Sequence, residues 1–177
     1  MQIVTIDFET FYDSDFSLSK LTTEAYIKDS RFQVIGFGIK VNDGLTHWYT
    51  GSHSELKIIL DSYKLEENAL LCHNTIFDGA ILSFTFNIIP KLYLDTLSMA
   101  RALHGINAGG SLKALAEKYD LGQKGTEVLD AKNKRLEDFE QDELDRYGQY
   151  CINDVELTYK LFHILLEVLI VYEKVYK

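Results

Sequence analysis

The segment TIDFET, residues 5–10, places two carboxylates, Asp7 and Glu9, two positions apart among Ile3, Val4, Ile6 and Phe8. Alternate side chains of a strand share a face, so both acids point the same way, at the strand's C-terminal end. Two buried carboxylates side by side resist desolvation and repel each other. A divalent cation removes both difficulties, because Mg²⁺ prefers carboxylate oxygens and keeps waters that a phosphate can displace. A plainer arrangement has Asp7 capping a turn and Glu9 at the surface. This segment alone leaves both open.

Two further stretches carry acids at suggestive places. In HNTIFDGAIL, residues 73–82, Asp78 falls one turn into a helix, with Asn74 at its N-cap and Phe77 and Ile81 on its packed face. In YCINDVELTYKLF, residues 150–162, Tyr150 and Asp154 are four apart and share a helix face. Each has its plain alternative: Asp78 as a first-turn acid favoured by the helix dipole, Asp154 as a surface acid beside a packed tyrosine. Leu157, Leu161 and Leu165 form an adjacent apolar stripe expected to pack that helix on the sheet.

The elements that would position these groups follow from periodicity. MQIVTIDF reads as a strand buried on both faces, RFQVIGFGIKV as a second and LTHWYTG as a third, with Asn42–Gly44 as the hairpin turn. The 10–28 segment reads as a loop and a short helix near the sheet edge. A helix from Ser52, capped by Ser52 or Ser54, precedes a fourth strand, ALLCHN, and a helix, TIFDGAILSFTF. A short fifth strand, KLYLDT, leads to a helix ended by Gly105 and another capped by Ser111 and closed near Gly122. From Gln141 to Tyr172 the chain reads as mostly helical. A three-strand meander followed by alternating strands and helices predicts an α/β fold with a mixed sheet and the acidic strand central. Open sheets of this kind build their sites at the strands' C-terminal ends.

The 177 residues favour one domain, and 46% hydrophobic content suffices for its core. Cys72 and Cys151 match no metal or redox spacing and are expected to be reduced packing residues in a cytoplasmic protein. The N-terminus carries acids rather than a basic leader, and the apolar run ILLEVLIVY is too short to cross a bilayer, so no membrane partner is expected. A net charge of −9 argues against a general nucleic-acid binder but not against an enzyme whose acids recruit cations.

Taken together, Asp7-x-Glu9, Asn74-x-x-Phe77-Asp78 and Tyr150-x-x-x-Asp154 resemble, in order, the three motifs of the DEDD exonuclease superfamily. The tyrosine makes the resemblance one to the DEDDy branch, and it covers nearly the whole chain. The stretches DFETFYDSDFSLSK, KGTEV and YCINDVELTYKLF are similar to the 3′–5′ proofreading exonuclease domain of bacteriophage family A DNA polymerases. The resemblance implies a ribonuclease-H-like fold and removal of nucleoside 5′-monophosphates from a single-stranded or frayed DNA 3′ end. It implies two divalent metal ions, Mg²⁺ or Mn²⁺. Asp7, Glu9 and Asp154 would hold one, Asp7 would bridge to the second, and Asp78 would hold that one directly or through water. Tyr150 would position the attacking water together with Glu9, since a tyrosine with an ordinary pKa of about 10 is a poor base at neutral pH.

Phe11 and Phe77 are candidates for stacking on bases, or else core residues; the resemblance implies that the backbone of Glu9 and Thr10 contacts the terminal nucleotide, and Asn74 would either reach the same nucleotide or only cap its helix. Lys124, Lys132, Lys134 and Arg135 lie on a loop that either touches phosphates or is simply solvated. The Asp95-Thr96 pair is a further candidate, whereas His73 and His163 read as structural. The chain is expected to be a monomer, either standing alone or as the N-terminal domain of a longer DNA polymerase. An RNA-trimming enzyme similar to ribonuclease D and a catalytically inactive nucleic-acid-binding domain are the other two readings.

Overall fold

A computed structural model describes residues 1–106, 109–122 and 131–176. Five strands form one sheet in the order β3-β2-β1-β4-β5. They are β1 (Ile3–Thr10), β2 (Val34–Val41), β3 (Thr46–Thr50), β4 (Ala69–Cys72) and β5 (Leu92–Asp95). β1 is central, antiparallel to β2 and parallel to β4, so the sheet is mixed as its strand order predicts. Asn42, in the left-handed region at φ 48°, turns the β2–β3 hairpin, and its side chain accepts from the Ile3 N–H at 2.9 Å.

Among the described residues six α-helices flank the sheet: α1 (Thr23–Lys28), α2 (His53–Ser62), α3 (Thr75–Ala80), α4 (Thr96–His104), α5 (Leu112–Lys118) and α6 (Gln141–Tyr176). Ser52, not Ser54, caps α2, in a reciprocal box with Glu55. Among the described residues no helix is long and apolar enough to cross a membrane.

Alternation on β1 divides its side chains between two environments. Val4, Ile6 and Phe8 join a buried cluster with Leu56 and Leu60 of α2 and with Phe86. On the other face, a Cβ at Gly38 would lie 2.9 Å from Val155 and 3.0 Å from the Cys151 sulfur, both on α6. Gly38 is paired with Asp7 and Gly36 with Glu9. The two acids therefore stand beside two strand positions without side chains, and α6 comes close to the sheet there.

Three expectations about packing need correction. The Leu157, Leu161 and Leu165 stripe packs against Ala100, Leu112, Leu115 and Ala116 of α4 and α5, not on the sheet. Gly148, Cys151 and Val155, on a different face of the same helix, are the residues that meet β2 and β3. The short helix after β1 packs beside α3, with Tyr26 and Phe77 rings 6.1 Å apart, rather than at the sheet edge. The helix after β4 also changes form: α3 ends at Ala80, and Ile81–Thr85 continue as a π-turn.

Candidate active site

Each candidate acid is delivered by a different constraint. Asp7 and Glu9 sit at the end of β1, where the pairing with β2 shifts register between Glu9 and Thr10. Such a bulge re-aims the strand end beside a site. Asp78 is buried on α3, and its Oδ1 accepts from the Phe8 backbone N–H at 3.0 Å. That bond ties the second acidic segment to the strand between the first two acids. Asp154 is buried on α6, and Asp7 and Asp154 line one hollow together. Asp7, Glu9 and the Cys151 thiol offer ligand atoms all within 4.8 Å of one another.

The electrostatics reflect this crowding. Burial first, and then the charge of Asp7, push the Asp78 carboxyl well above its ordinary range. Burial, followed by the charges of Asp154, Glu9 and Asp7, pushes the Tyr150 hydroxyl up, and it hydrogen-bonds to Asp154. Tyr150 is thus a hydrogen-bond donor at neutral pH. A second tyrosine, Tyr147, donates its hydroxyl to Glu9 Oε2 at 2.6 Å.

Oxygen donors of this kind and number suit a hard divalent cation, which would also offset the mutual repulsion of buried acids. Burial pushes the Cys151 thiol well above the usual thiol range, and it donates to Asp7 O at 3.3 Å. The residues therefore fit a divalent metal, and Asp7, Glu9, Asp78 and Asp154 are the oxygen donors that could hold it.

Two hollows flank the acids. One, of about 270 Å³, is lined by Phe8, Glu9, Thr10, Tyr26, Phe77 and Tyr147 among others. Thr10 Oγ1 is 2.9 Å from the Tyr26 hydroxyl. Tyr26 in turn donates to Phe11 O, which fixes the wall beside Glu9. The other, of about 540 Å³, is lined by Asp7, Asp154, His73, Asn74, Arg101 and Ser111 among others. Arg101 supplies its positive side chain.

The substrate candidates separate. Phe77 is half-buried and lines the aromatic hollow. Phe11 is only 7% exposed, stacked 6.0 Å from Phe16 and covered by the Arg135 guanidinium 4.3 Å from its ring centroid. Its ring is a core residue with no open face for a base. Asn74 occupies the N-cap position of α3, but in a left-handed conformation (φ 70°) that makes no side-chain cap. Its side chain is exposed in the polar hollow.

The cap comes instead from Asp95, which accepts from the N–H groups of Asn74 at 2.8 Å and Thr75 at 3.3 Å. Asp95 also caps its own helix, α4, through Leu97, Ser98 N–H and the Ser98 hydroxyl. Burial raises its carboxyl, but these hydrogen bonds outweigh that and hold it below the ordinary range. His73 is likewise structural: Nε2 donates to Gly110 O and Nδ1 meets Thr96 Oγ1, each at 2.8 Å. On the basic loop, Lys134 pairs with Glu143 and Arg135 packs on Phe11, so both are engaged in the fold. Lys124 lies outside the described residues.

Two residues at this site, Tyr147 and Trp48, carry no motif of their own. Tyr147 is one turn before Tyr150 on α6, on the same side as Cys151 and Asp154. Trp48 stands in the row Asp7–Gly38–Trp48 across three strands, its ring 6.2 Å from that of Tyr147. A Cβ on Gly36 or on Gly148 of α6 would overlap the Trp48 indole. The sequence signal was present in Gly36 and Gly38, two glycines two apart in an otherwise apolar strand.

Comparison with known proteins agrees with this geometry. Residues 22–170 match the 3′–5′ exonuclease family, a span that begins after Asp7 and Glu9. No curated protein sequence matches the chain. Brucella melitensis NrnC has a similar structure, with a TM-score of 0.67 and 17% identity over 93% of this chain and 72% of its own. Trypanosoma brucei RNase D superposes with a TM-score of 0.69 and 14% identity over 92% of this chain and 57% of its own. The family B DNA polymerase of Pyrobaculum calidifontis gives 0.65 and 16%, over 94% of this chain and 24% of that one. The chain therefore belongs to the 3′–5′ exonuclease family, on a ribonuclease-H-like fold.

Proposed function

We propose that this exonuclease removes nucleoside 5′-monophosphates from the 3′ end of single-stranded or frayed DNA, as a proofreading activity for a phage-type DNA polymerase. The observation that carries the reading is the meeting of Asp7, Glu9, Asp78 and Asp154 at the end of β1, beside an aromatic hollow that opens at Glu9. Aromatic walls take any base by its face, so they hold a terminal nucleotide without reading sequence.

Asp7, Glu9 and Asp154 would hold one Mg²⁺ or Mn²⁺, and Asp7 with Asp78 a second. When bound, such ions supply an acidified water and neutralise charge on the leaving 3′ oxygen. The chain's own residues do the rest. Tyr150, kept protonated by burial and by the acids around it, orients a water by donating or accepting a hydrogen bond and does not abstract a proton. Phe77 and the wall built by Tyr26 and Thr10 hold the terminal base and sugar. Arg101 and Asn74 face the backbone phosphates on the other side of Asp7.

An RNA-trimming role is the second reading, favoured by the fold shared with T. brucei RNase D, which is known in complex with RNA U12. The test gives purified protein 5′-labelled single strands of DNA and RNA with Mg²⁺ or Mn²⁺. A ladder shortening from the 3′ end on DNA, abolished by Asp7→Ala, is expected. Faster trimming of RNA assigns the second reading, and binding without hydrolysis under either metal overturns both. Sequencing the reading frame beyond Lys177 tests the polymerase setting.

A further inference from the structure

We infer that Tyr147 is a positioning residue for the metal site: its hydroxyl fixes the Glu9 carboxylate in the orientation that binds the cation. The inference rests on the metal-dependent reading above, but it concerns a residue that lies outside the three motifs.

Four observations carry it. The Tyr147 hydroxyl donates to Glu9 Oε2 at 2.6 Å, a short bond of the charge-assisted kind. Both partners are buried, so water competes poorly for the contact. The tyrosine ring cannot easily swing away. Phe139 stacks on it at 5.7 Å, Trp48 lies at 6.2 Å and Tyr150 at 6.3 Å. Trp48 is itself clasped where Gly36 and Gly148 leave no room for another atom.

A glutamate at a strand end has three rotatable bonds, and a metal needs its carboxylate in one place. The hydrogen bond removes that freedom before the metal arrives, which is what partners behind a ligand do in metal sites. Tyr150 and Tyr147 thus divide the work. Tyr150 hydrogen-bonds to Asp154 and on the reading above would orient the water, whereas Tyr147 stands behind Glu9.

The test measures Mn²⁺ binding to nucleic-acid-free protein by electron paramagnetic resonance, so it does not depend on turnover. Tyr147→Phe keeps the ring and removes the hydroxyl; its Mn²⁺ affinity is expected to fall about tenfold. Tyr49→Phe, which loses a hydroxyl far from the site in a 3.3 Å contact with Tyr63, is the control and should bind as wild type. In a Glu9→Gln background the Tyr147→Phe effect should vanish, because the two act through one bond. Mn²⁺ affinity within twofold of wild type in Tyr147→Phe overturns the inference. So does an undiminished loss in the Glu9→Gln background, which would place the effect in packing. A wild-type protein that binds Mn²⁺ but degrades no 3′ end refutes the exonuclease reading of this chain and leaves the role of Tyr147 standing.

Discussion

The two hollows beside the acids differ in nearly every respect. The one at Glu9 is narrow, about 270 Å³, and walled by Phe8, Tyr26, Phe77 and Tyr147. The one at Asp7 and Asp154 is twice as roomy, about 540 Å³, and lined by His73, Asn74, Arg101 and Ser111. Aromatic faces suit a base and polar groups suit a charged backbone. The division teaches how a chain of net charge −9 can handle nucleic acid. On the proposed reading its grip on substrate would be local, a stacked terminal base on one side and Arg101 on the other, with the cation supplying the missing positive charge.

The largest effect should come from the acid at the seam. Asp7→Asn is expected to cut single-turnover cleavage by about 10³-fold, the equivalent of roughly 4 kcal/mol of lost charge stabilisation. A loss under tenfold would detach both hollows from the chemistry.

The aromatic hollow is tested next, by a paired substitution. Phe77→Ala should raise KM about tenfold through lost stacking and lower kcat less. Phe11→Ala should act on stability instead, costing about 3 kcal/mol in chemical denaturation because its ring is core. The reverse pattern would exchange their roles.

The wall between α6 and the sheet is tested by Gly148→Ala, whose new Cβ meets Trp48. Overpacking of this kind costs about 1–3 kcal/mol. Because the same helix carries Tyr147, Tyr150 and Asp154, activity at low metal should fall with it. A variant as stable as wild type would show that the indole can shift.

A pH experiment addresses the acids themselves. In the folded protein Asp78 holds its proton above the ordinary range, through burial and then the charge of Asp7; the reference value is 3.8. Between that pH and the folded-state value, the folded form carries the extra proton. Its stabilising contribution is complete below the reference value and is lost as pH rises through the folded-state value. Melting temperature in a chelator should therefore fall with rising pH more steeply in wild type than in Asp78→Asn, and saturating Mg²⁺ should reduce the difference. Parallel profiles would remove Asp78 from the repulsion.

The smallest effect is expected in the polar hollow. Arg101→Ala should weaken single-strand binding about threefold and reduce the slope of log affinity against log salt by about 0.7, the share of one phosphate contact. An unchanged slope would leave the backbone on another path.

Much of this was legible from local pattern. The alternation in β1 and the turn residue Asn42 mark strand and hairpin because their causes are local. A mixed sheet with the acidic strand central followed from a meander giving way to strands alternating with helices, and the structure has it. The acids were legible too, since two carboxylates in an apolar strand have few other reasons to be there. Helix contacts were less so. Leu157, Leu161 and Leu165 announce an apolar face but not its partner, and α4 and α5 took it instead of the sheet. Asn74 had the right residue type for a cap, yet its backbone turned left-handed and Asp95, on another strand, supplied the bonds.

The sequence by itself determined the strand that carries Asp7 and Glu9, the helices that carry Asp78 and Asp154, and through its motifs the family they serve. Periodicity and residue chemistry act over a few positions, and they suffice for that. Tertiary structure alone decided that Tyr147, 138 positions from Glu9, would hold its carboxylate, and that Cys151 would donate to Asp7. It also decided that Phe77 would line a hollow while Phe11 was buried under Arg135. The contacts of Tyr147 and Cys151 depend on how closely α6 approaches the sheet. Gly38 permits that approach, but only the packed sheet shows which helix uses it.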